Sequence, residues 1–306
     1  MILTITVNPA IDVTYHLASL SVGDTNRVTT VHRQAGGKGI NVSSVLTALG
    51  SATTALFPFA GTSGDELLTD LRRRGITAVG VPVEGRTRNT VAVVEPEGRT
   101  TNFSEPGPSI APSSWTRLVT VAAHHSKDAA ATVISGSLPS SVEPSGLAEL
   151  IRTVKRSAPV AVDVSGDLLL TAAGSAADLL TPNIDELAQC FPHQDTVTAA
   201  RSLISAGARA VLVTCGKDGL LHVTAERVVH QPSVGGVSGN TTGAGDAALA
   251  AFLSRFTSTK SLRRALAAAA AAGAAAVVEP SAGYIDPATY QRFVTTAQNL
   301  SHNDQR

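Results

Sequence analysis

The sequence has little cysteine, no excess of either charge and no long hydrophobic run, and each shortage excludes a class of protein. Two cysteines among 306 residues, Cys190 and Cys215, cannot build a disulfide framework, and neither has a Cys-x-x-Cys or zinc-like spacing. This usage is typical of the reducing cytoplasm, where we expect the protein to reside. The 24 basic residues balance the 24 acidic ones, so we expect neither nucleic acid nor an anionic membrane as a partner.

Hydrophobic runs are too short to cross a bilayer. The longest extends from Ala265 to Val278, whereas a span needs about 20 residues, so we expect a buried alanine-rich helix there. The opening Met1–Val7 lacks the basic segment of a signal peptide and is interpreted as a strand. With 43% hydrophobic and 16% charged residues the chain can bury a sizeable core, which excludes disorder as a description of the whole chain.

From residue 34 onward, short apolar runs rich in β-branched residues alternate with helical patterns. Apolar interiors are typical of strands covered on both faces, and the alternation predicts an α/β fold with a mainly parallel sheet between helices. The pattern Ser63-Gly-Asp-Glu66 predicts a capping box, and Gly75 a C-terminal cap. The predicted strands are 53–59, 131–135, 160–164 and 210–214, and the predicted helices are 38–49, 63–74, 144–157, 196–206, 246–256 and 286–300.

Two stretches, 11–33 and 88–103, interrupt this alternation. They contain further β-type runs, with Pro96-Glu-Gly98 as a hairpin turn, and we expect them to form a small separate sheet. Because such a sheet would lie over the crevice at the strand ends, where open α/β folds bind ligands, we interpret it as a lid on a single domain spanning residues 1–306. Strand edges must be paired or covered, so we expect a homodimer that joins two lids.

The strongest chemical signal is Gly243-Ala244-Gly245-Asp246, which directly precedes a helical run. Backbone N–H groups at a glycine-rich helix start form an anion hole, and an ionised Asp246 beside it can accept a hydroxyl proton during phosphoryl transfer. The alternative makes Asp246 a helix N-cap. The segment also matches a dinucleotide fingerprint, but the acidic residue expected about 20 positions on and a second strand are missing, which disfavours nicotinamide binding.

The second signal is the glycine turn Gln34-Ala-Gly-Gly-Lys-Gly-Ile-Asn41 at a helix start. It lacks the spacing of a P-loop. Even so, Gly37 leaves backbone N–H groups bare, Lys38 supplies a cation and Asn41 a polar amide one turn later, a combination that suits polyol hydroxyls or a phosphate. The alternative is an ordinary turn with a solvated lysine.

Three further segments are ambiguous alone. Ser135–Pro139 places two hydroxyls at the edge of the sheet where ligands bind in open α/β folds. The alternative is that this segment is an ordinary turn. Asn183 and Glu186 share a helical face and either attend Mg²⁺ with nucleotide phosphates or, as we prefer from this segment alone, cap the helix. The arginines of Gly85–Asn89 either capture a phosphate or are solvated.

Together, the order and spacing of these segments resemble the ribokinase-like sugar kinases of the phosphofructokinase B type over essentially the whole chain. The resemblance implies a Rossmann-like three-layer sandwich with a β-sheet lid. The matching segments are Asn8-Pro-Ala-Ile-Asp12, Gly36-Gly-Lys-Gly-Ile-Asn41, Thr87-Arg-Asn89, Ser135-Gly-Ser-Leu-Pro139, Asp163-Val-Ser-Gly166, Pro182-Asn-x-x-Glu186, Cys215-Gly-x-x-Gly219 and Gly243-Ala-Gly-Asp246.

This resemblance also implies a kinase that uses ATP and Mg²⁺. The catalytic base would be Asp246, next to an anion hole at Gly243, Ala244 and Gly245. The nucleotide site would include Asn183, Glu186, Thr214, Gly216, Gly219, Gly243 and Gly245, with Asn183 and Glu186 attending the metal. The sugar would be held by Asp12, Gly37, Lys38 and Asn41, and its existing phosphate by Arg88 with Lys38 and Ser137.

Within the family the chain is most similar to the hexose-phosphate branch, which contains 1-phosphofructokinases and tagatose-6-phosphate kinases. We expect it to convert fructose 1-phosphate to fructose 1,6-bisphosphate. Tagatose 6-phosphate is the alternative substrate, because the stretch up to Asn41 resembles that enzyme whereas Thr100–Pro108 resembles 1-phosphofructokinases. A non-catalytic sugar-phosphate sensor is a more distant alternative, which the intact Gly243–Asp246 segment disfavours. Departures from the family pattern occur at Thr181, Thr214-Cys215 and Thr241-Thr242.

Overall fold

The central sheet has nine strands and is mostly parallel, as the alternation of strands and helices predicts. The chain is seen in a computed structural model that describes residues 1–96 and 99–303, without the side chains of 301–303. In sheet order the strands are β13 (Val228–Gln231), β12 (Leu220–Val223), β11 (Val211–Thr214), β10 (Leu179–Leu180), β9 (Val160–Asp163), β8 (Ala131–Ser135), β1 (Ile2–Ile5), β4 (Thr53–Phe59) and β5 (Thr77–Pro82). Neighbours from β5 to β11 are parallel, and β12 and β13 are antiparallel.

Helices cover both faces of this sheet. They are α1 (Lys38–Ala48), α2 (Gly61–Arg73), α3 (Pro112–Ser126), α4 (Pro144–Lys155), α5 (Asp167–Gly174), α6 (Ile184–Cys190), α7 (Thr196–Ser205), α8 (Ala244–Thr259), α9 (Leu262–Val277) and α10 (Pro287–Asn303). Alternate residues of a strand point to opposite faces, so Val133 of β8 packs with α8 and α9 while Ile134 packs with α3 and α4. This double burial explains why the strands are apolar throughout, and it confirms the predicted three-layer sandwich.

A second, four-stranded sheet is formed by the two stretches that interrupt the alternation. Its strands, in sheet order, are β3 (Thr30–Gly36), β2 (Ala10–His16), β6 (Arg88–Val94) and β7 (Thr100–Ser104). The small sheet is therefore confirmed, although β3 begins and ends later than the sequence suggests. The tip of the expected hairpin turn, residues 97–98, lies outside the described residues. Ile11 and Val13 of β2 pack on Leu67 and Leu71 of α2, which fastens this sheet to the core.

The predicted capping box at the start of α2 is wrong. The helix begins at Gly61, and the Ser63 hydroxyl donates a hydrogen bond to the backbone oxygen of Thr87 (2.7 Å). Glu66 instead accepts two hydrogen bonds from Arg33 of β3. Both side chains are thus used for tertiary contacts, which override the local pattern. The C-terminal prediction is correct, because Gly75 takes the left-handed conformation (φ +69°) that ends the helix.

The alanine-rich run forms α9, a buried helix of the core as expected. Its alanines from Ala265 to Ala272 are at most 8% exposed and pack with α8 and α10. Small side chains on α9 let neighbouring helices approach closely, which holds α8 and the residues at its start in a fixed place. Among the described residues, no helix combines the length and apolarity that a bilayer span would need.

Candidate active site

The polar residues of the candidate site follow consecutive strands of the central sheet. Thr214 ends β11, Asn183 follows β10, Asp163 ends β9, Ser137 follows β8 and Asn8 follows β1. Because these strands are parallel neighbours, their carboxyl ends meet along one edge of the sheet. The residues assigned to the nucleotide by the family resemblance therefore lie at one end of this row, and those assigned to the sugar phosphate lie toward the other end.

Asp246 lies in the first turn of α8, whose N-cap is Gly243 in the left-handed conformation (φ +83°). The alternative interpretation of Asp246 as the N-cap is therefore wrong. Its carboxylate is 5% exposed and accepts a hydrogen bond from Nδ2 of Asn41 in α1 (2.9 Å). Ala244 N–H donates to the Thr241 oxygen (3.2 Å), whereas the N–H groups of Gly245 and Asp246 have no acceptor among the described residues. A Cβ added at Gly245 would touch nothing, so this helix start is open to a ligand.

The electrostatic environment suits Asp246 to accept a proton. Burial and the nearby Asp163 carboxylate raise the pKa of Asp246 to about 7, and the Lys38 ammonium and the Asn41 hydrogen bond only partly oppose this rise. A carboxyl group with such a pKa is ionised in a large fraction of molecules near neutral pH and is more basic than a solvated aspartate. The site therefore contains a candidate general base beside unpaired N–H donors.

Lys38 connects the two halves of the row. Its ammonium is 3.2 Å from Oδ1 of Asp163 and 3.7 Å from Oε1 of Glu186. Burial disfavours the charge, but attraction to Asp163, Asp246 and Glu186 outweighs it and raises the pKa of Lys38 above its ordinary value. Lys38 is therefore a permanent cation beside the candidate base, and the alternative of a merely solvated lysine is wrong.

Asp163 is a site residue to which the sequence analysis gave no role. It ends β9 and is 7% exposed, and it accepts hydrogen bonds from Ser135 Oγ (2.7 Å) and Lys38 Nζ (3.2 Å). An acidic residue directly after the apolar run Val160–Val162 is a signal that could have marked it. Asp163 positions Lys38 and also raises the pKa of Asp246, because the two carboxylates repel each other's charge.

The residues assigned to the sugar surround the glycine turn before α1. Gly37 caps α1 with φ +106°, a conformation that favours glycine. The Asp12 carboxylate lies directly against Gly36, where a Cβ would be 2.0 Å from Oδ2. It accepts a hydrogen bond from Thr90, and burial raises its pKa, whereas this hydrogen bond lowers it. Asp12 is thus held at the base of the small sheet.

A loop that sequence reasoning missed closes the turn from the other side. The Ala282 oxygen accepts a hydrogen bond from Gln34 Nε2 (3.1 Å), and Gly283 is packed so closely on Asn41 that a Cβ would approach Oδ1 to 2.8 Å. Oδ1 of Asn41 is buried and has no partner among the described residues. Asn41 is therefore oriented toward Asp246 by its surroundings and retains a vacant acceptor.

The end of β3 is fixed to the core by a charged pair of α2 and the residue after it. The Ala35 N–H donates to Asp70 Oδ2 (2.9 Å), and Arg74 donates to the Ala35 oxygen (3.2 Å). Arg74 also donates to Ser44 Oγ in α1. The pair thus holds the chain on both sides of the glycine turn that carries the proposed sugar contacts.

On the nucleotide side the structure has the capping interaction that we preferred for Asn183 and Glu186. Asn183 Oδ1 accepts from Glu186 N–H (2.8 Å), and Glu186 Oε2 accepts from Asn183 N–H (2.9 Å). The same arrangement turns Glu186 Oε1 toward Lys38, so capping is compatible with the predicted site role. Thr214 forms a β-bridge with Asn183, and Gly216 and Gly219 follow with left-handed φ values of +55° and +91°.

Arg88 and Ser137 lie at the sugar end of the row. Arg88 donates through Nε and Nη2 to the Asn8 oxygen (3.2 and 3.1 Å) and through Nη1 to the Glu105 oxygen (3.0 Å). Burial lowers the pKa of Arg88, while the charges of Asp12 and Glu105 raise it. Ser137 is exposed, and its Oγ accepts from Asn8 Nδ2 (3.3 Å). Both residues thus contact Asn8, and Arg88 is bound to backbone oxygens rather than merely solvated.

The donor set fits a magnesium ion carried mainly by nucleotide phosphates. Mg²⁺ usually binds one or two carboxylates together with phosphate oxygens and water. Glu186 supplies a carboxylate whose Oε1 faces the site, next to the amide of Asn183. Within residues 1–96 and 99–303, no group of three or more His, Cys, Asp or Glu side chains forms a metal cage.

Comparison with known proteins agrees with this geometry. The pfkB family carbohydrate kinase model matches residues 3–289. The chain is 32% identical to 1-phosphofructokinase of Escherichia coli strain K12 over 92% of its length and 93% of that protein. It is 31% identical to 1-phosphofructokinase of Bacillus subtilis strain 168, covering 87% of this chain and 88% of that one. Phosphofructokinase-2 from Escherichia coli in complex with fructose-6-phosphate matches with a TM-score of 0.89 and 26% identity, covering 97% and 98% of the two chains. With the family match spanning almost its whole length, this chain belongs to the pfkB family of carbohydrate kinases.

Proposed function

We propose that the protein is a 1-phosphofructokinase, which transfers the γ-phosphoryl group of ATP to O6 of fructose 1-phosphate. The observation that carries the proposal is the buried Asp246 carboxylate beside the unpaired N–H groups at the start of α8. Phosphoryl transfer to a hydroxyl needs a base at the acceptor and positive potential at the transferred group. The relatives named 1-phosphofructokinase, at 31% and 32% identity, support this choice of substrate.

In the proposed reaction, the sugar hydroxyl lies within hydrogen-bonding distance of Asp246. Its oxygen attacks the γ-phosphorus as its proton passes to the carboxylate, and the bond from phosphorus to the β–γ bridging oxygen breaks to release ADP. The N–H groups of Gly245 and Asp246 donate to the transferred group, whose charge they stabilise. Asn41 donates a hydrogen bond to Oδ2 of Asp246, which leaves the other carboxylate oxygen to accept the proton. This contact keeps the base in one orientation.

The proposal also explains the cations of the site. Two phosphorylated substrates bring several negative charges into one crevice of a protein with no net charge, so local cations must offset their repulsion. Lys38 lies between the nucleotide and sugar ends, and Arg88 lies at the sugar end. Mg²⁺ held near Glu186 and Asn183 would, when bound, offset the charge of the nucleotide phosphates.

An assay of ATP turnover with a panel of sugar phosphates tests the proposal. We expect the highest kcat/KM with fructose 1-phosphate. A higher value with tagatose 6-phosphate would assign the chain to the alternative substrate of the same branch. No turnover with any sugar phosphate, combined with binding of one of them, would instead support the non-catalytic sensor.

We further propose that the whole chain acts as one kinase domain, with the four-stranded sheet as its lid, and that two lids join in a homodimer. Among the described residues, nine large apolar side chains are exposed, and four of them, Val22, Val28, Val31 and Phe103, lie in the lid or its connecting loop. Exposed apolar side chains on edge strands are favourable to cover. Phosphofructokinase-2 from Escherichia coli has a tetrameric inhibited form, so assembly occurs in a similar protein.

We propose a cytoplasmic location because both cysteines are unpaired thiols.

A further inference from the structure

Asn8 touches two of the three residues expected to hold the sugar phosphate, Arg88 and Ser137. It follows β1, is 5% exposed, and donates through Nδ2 to the Pro106 oxygen (3.1 Å) and to Ser137 Oγ (3.3 Å). Its backbone oxygen accepts from Arg88 Nε and Nη2. Gly107, with φ +88°, packs against the same side chain, and a Cβ there would approach Oδ1 to 2.2 Å. A single asparagine thus joins three segments at the sugar end of the row.

The contact with Pro106 fixes the orientation of the Asn8 amide. A backbone oxygen can only accept a hydrogen bond, so the amide atom facing it must be the NH₂ group. The same NH₂ group faces Ser137, which makes the Ser137 oxygen an acceptor in that contact. Since a hydroxyl has a single hydrogen, this hydrogen remains available for another acceptor.

The backbone oxygen of Asn8 orients Arg88 while leaving some of its N–H donors available. One edge of the guanidinium is occupied by the Asn8 oxygen, and Nη1 also donates to the Glu105 oxygen. One N–H on each terminal nitrogen has no partner among the described residues, so Arg88 retains donors for an anion. Three hydrogen bonds to backbone oxygens leave the guanidinium little freedom to move.

We propose that Asn8 is a positioning residue that makes Ser137 a hydrogen-bond donor to the phosphate of the sugar substrate. Its side chain accounts for the direction of the Ser137 hydroxyl, and its backbone oxygen holds Arg88. The ligand class is a sugar carrying a phosphate monoester, and the inference rests on the proposed function for the identity of that sugar. Asn8 touches no reacting atom and acts through Ser137.

The test is a set of three variants, Asn8→Ala, Ser137→Ala and the double variant, each assayed for turnover and for binding of fructose 1-phosphate by calorimetry without ATP. Loss of a hydrogen bond to a charged group weakens binding about 10- to 150-fold, so we expect both single variants to raise Kd and KM for fructose 1-phosphate by up to that factor. The KM for ATP should stay within about threefold, because the nucleotide end is untouched. Since Asn8 acts through Ser137, the double variant should be about as weak as Ser137→Ala alone.

Gln231→Ala is the matched control. Gln231 is another buried amide that donates to two backbone oxygens, those of Pro232 and Ala297, but it lies on β13 at the far edge of the sheet. We expect it to lower the melting temperature without changing the Kd for fructose 1-phosphate. If Asn8→Ala fails to fold, Asn8→Asp replaces it, because the carboxylate has the same shape but cannot donate to Ser137. The increase in Kd that Asn8→Asp causes should be smaller when Ser137 is also replaced by alanine.

Three outcomes would overturn the inference: an unchanged Kd in folded Asn8→Ala, multiplicative effects of Asn8→Ala and Ser137→Ala, or an equal loss of affinity for unphosphorylated fructose. The proposed function fails separately. If the wild-type protein turns over no sugar phosphate but binds fructose 1-phosphate, and Asn8→Ala weakens that binding through Ser137, the inference stands while the kinase assignment does not.

Discussion

Replacing Asp246 with asparagine removes the proposed base while leaving its surroundings intact. The amide is nearly isosteric with the carboxylate, and its oxygen can still accept the hydrogen bond that Asn41 donates at 2.9 Å. The N–H donors at the start of α8 belong to the backbone and remain. What disappears is a buried carboxyl whose pKa is raised to about 7 by burial and by Asp163. A positioned general base contributes about 10²- to 10⁴-fold in rate, so we expect kcat to fall by that factor.

Steady-state kinetics of Asp246→Asn with fructose 1-phosphate and ATP provide the measurement. KM for both substrates should change little, because the variant removes no contact that the ground state needs. Asp178→Asn is the control: this carboxylate also interacts with a lysine, Lys155 at 3.3 Å, but lies at the opposite, amino-terminal edge of the sheet. If kcat decreases by less than about tenfold in a variant with the melting temperature of the wild type, the assignment of Asp246 as the base is refuted.

Three further predictions concern the phosphate, the pH dependence and the assembly. Arg88→Ala should raise KM for fructose 1-phosphate about 10- to 150-fold and leave KM for ATP unchanged. Arg86→Ala, at an exposed arginine, is the control and should leave both KM values unchanged. If Arg88→Ala keeps the wild-type preference for phosphorylated over unphosphorylated sugars, the role of Arg88 is contradicted. Because Asp246 must be ionised to accept a proton, kcat/KM should fall as pH drops through its raised pKa of about 7, and a profile that is flat there would contradict the raised pKa. Phe103→Asp should shift the sedimentation of the protein from dimer to monomer, and a wild-type protein that is monomeric at micromolar concentration would disprove assembly through the lid.

The parts of the fold that the sequence predicts well are those in which local pattern and tertiary environment agree. Strands β4 and β8 have the predicted bounds, because an uninterrupted apolar run is what a strand buried on both faces requires. Helix α3 was missed, since its valines, threonines and tryptophan are typical of strands, although Pro112 in its first turn is a signal for a helix start. The antiparallel pair β12 and β13 was missed as well, because a histidine, His222 or His230, interrupts each of these short apolar runs.

Within the site, residues in glycine turns were easier to predict than residues at strand ends. Gly37 and Gly243 both adopt left-handed conformations, which a side chain would strain, and so left a signal in the sequence itself. Asp163 left only a weak one, since its role depends on Lys38, 125 positions away in the chain. The loop at Ala282 and Gly283 was harder to predict, because any residue type could supply the Ala282 oxygen and the lone Gly283 does not show which residue it packs against.

The hydrogen bonds of Asp70 and Arg74 to the backbone of Ala35 affect how β3 can pair with another chain. β3 is an edge strand, and these side chains occupy both backbone groups that Ala35 directs away from β2. In an antiparallel ladder, outward-facing groups recur at every second residue, so Arg33 and Val31 direct theirs the same way. A second β3 could therefore add only along the part of the strand before Ala35. Asp70 and Arg74 thus limit how far along β3 another strand can pair, and they keep such pairing away from the glycine turn beside the candidate active site.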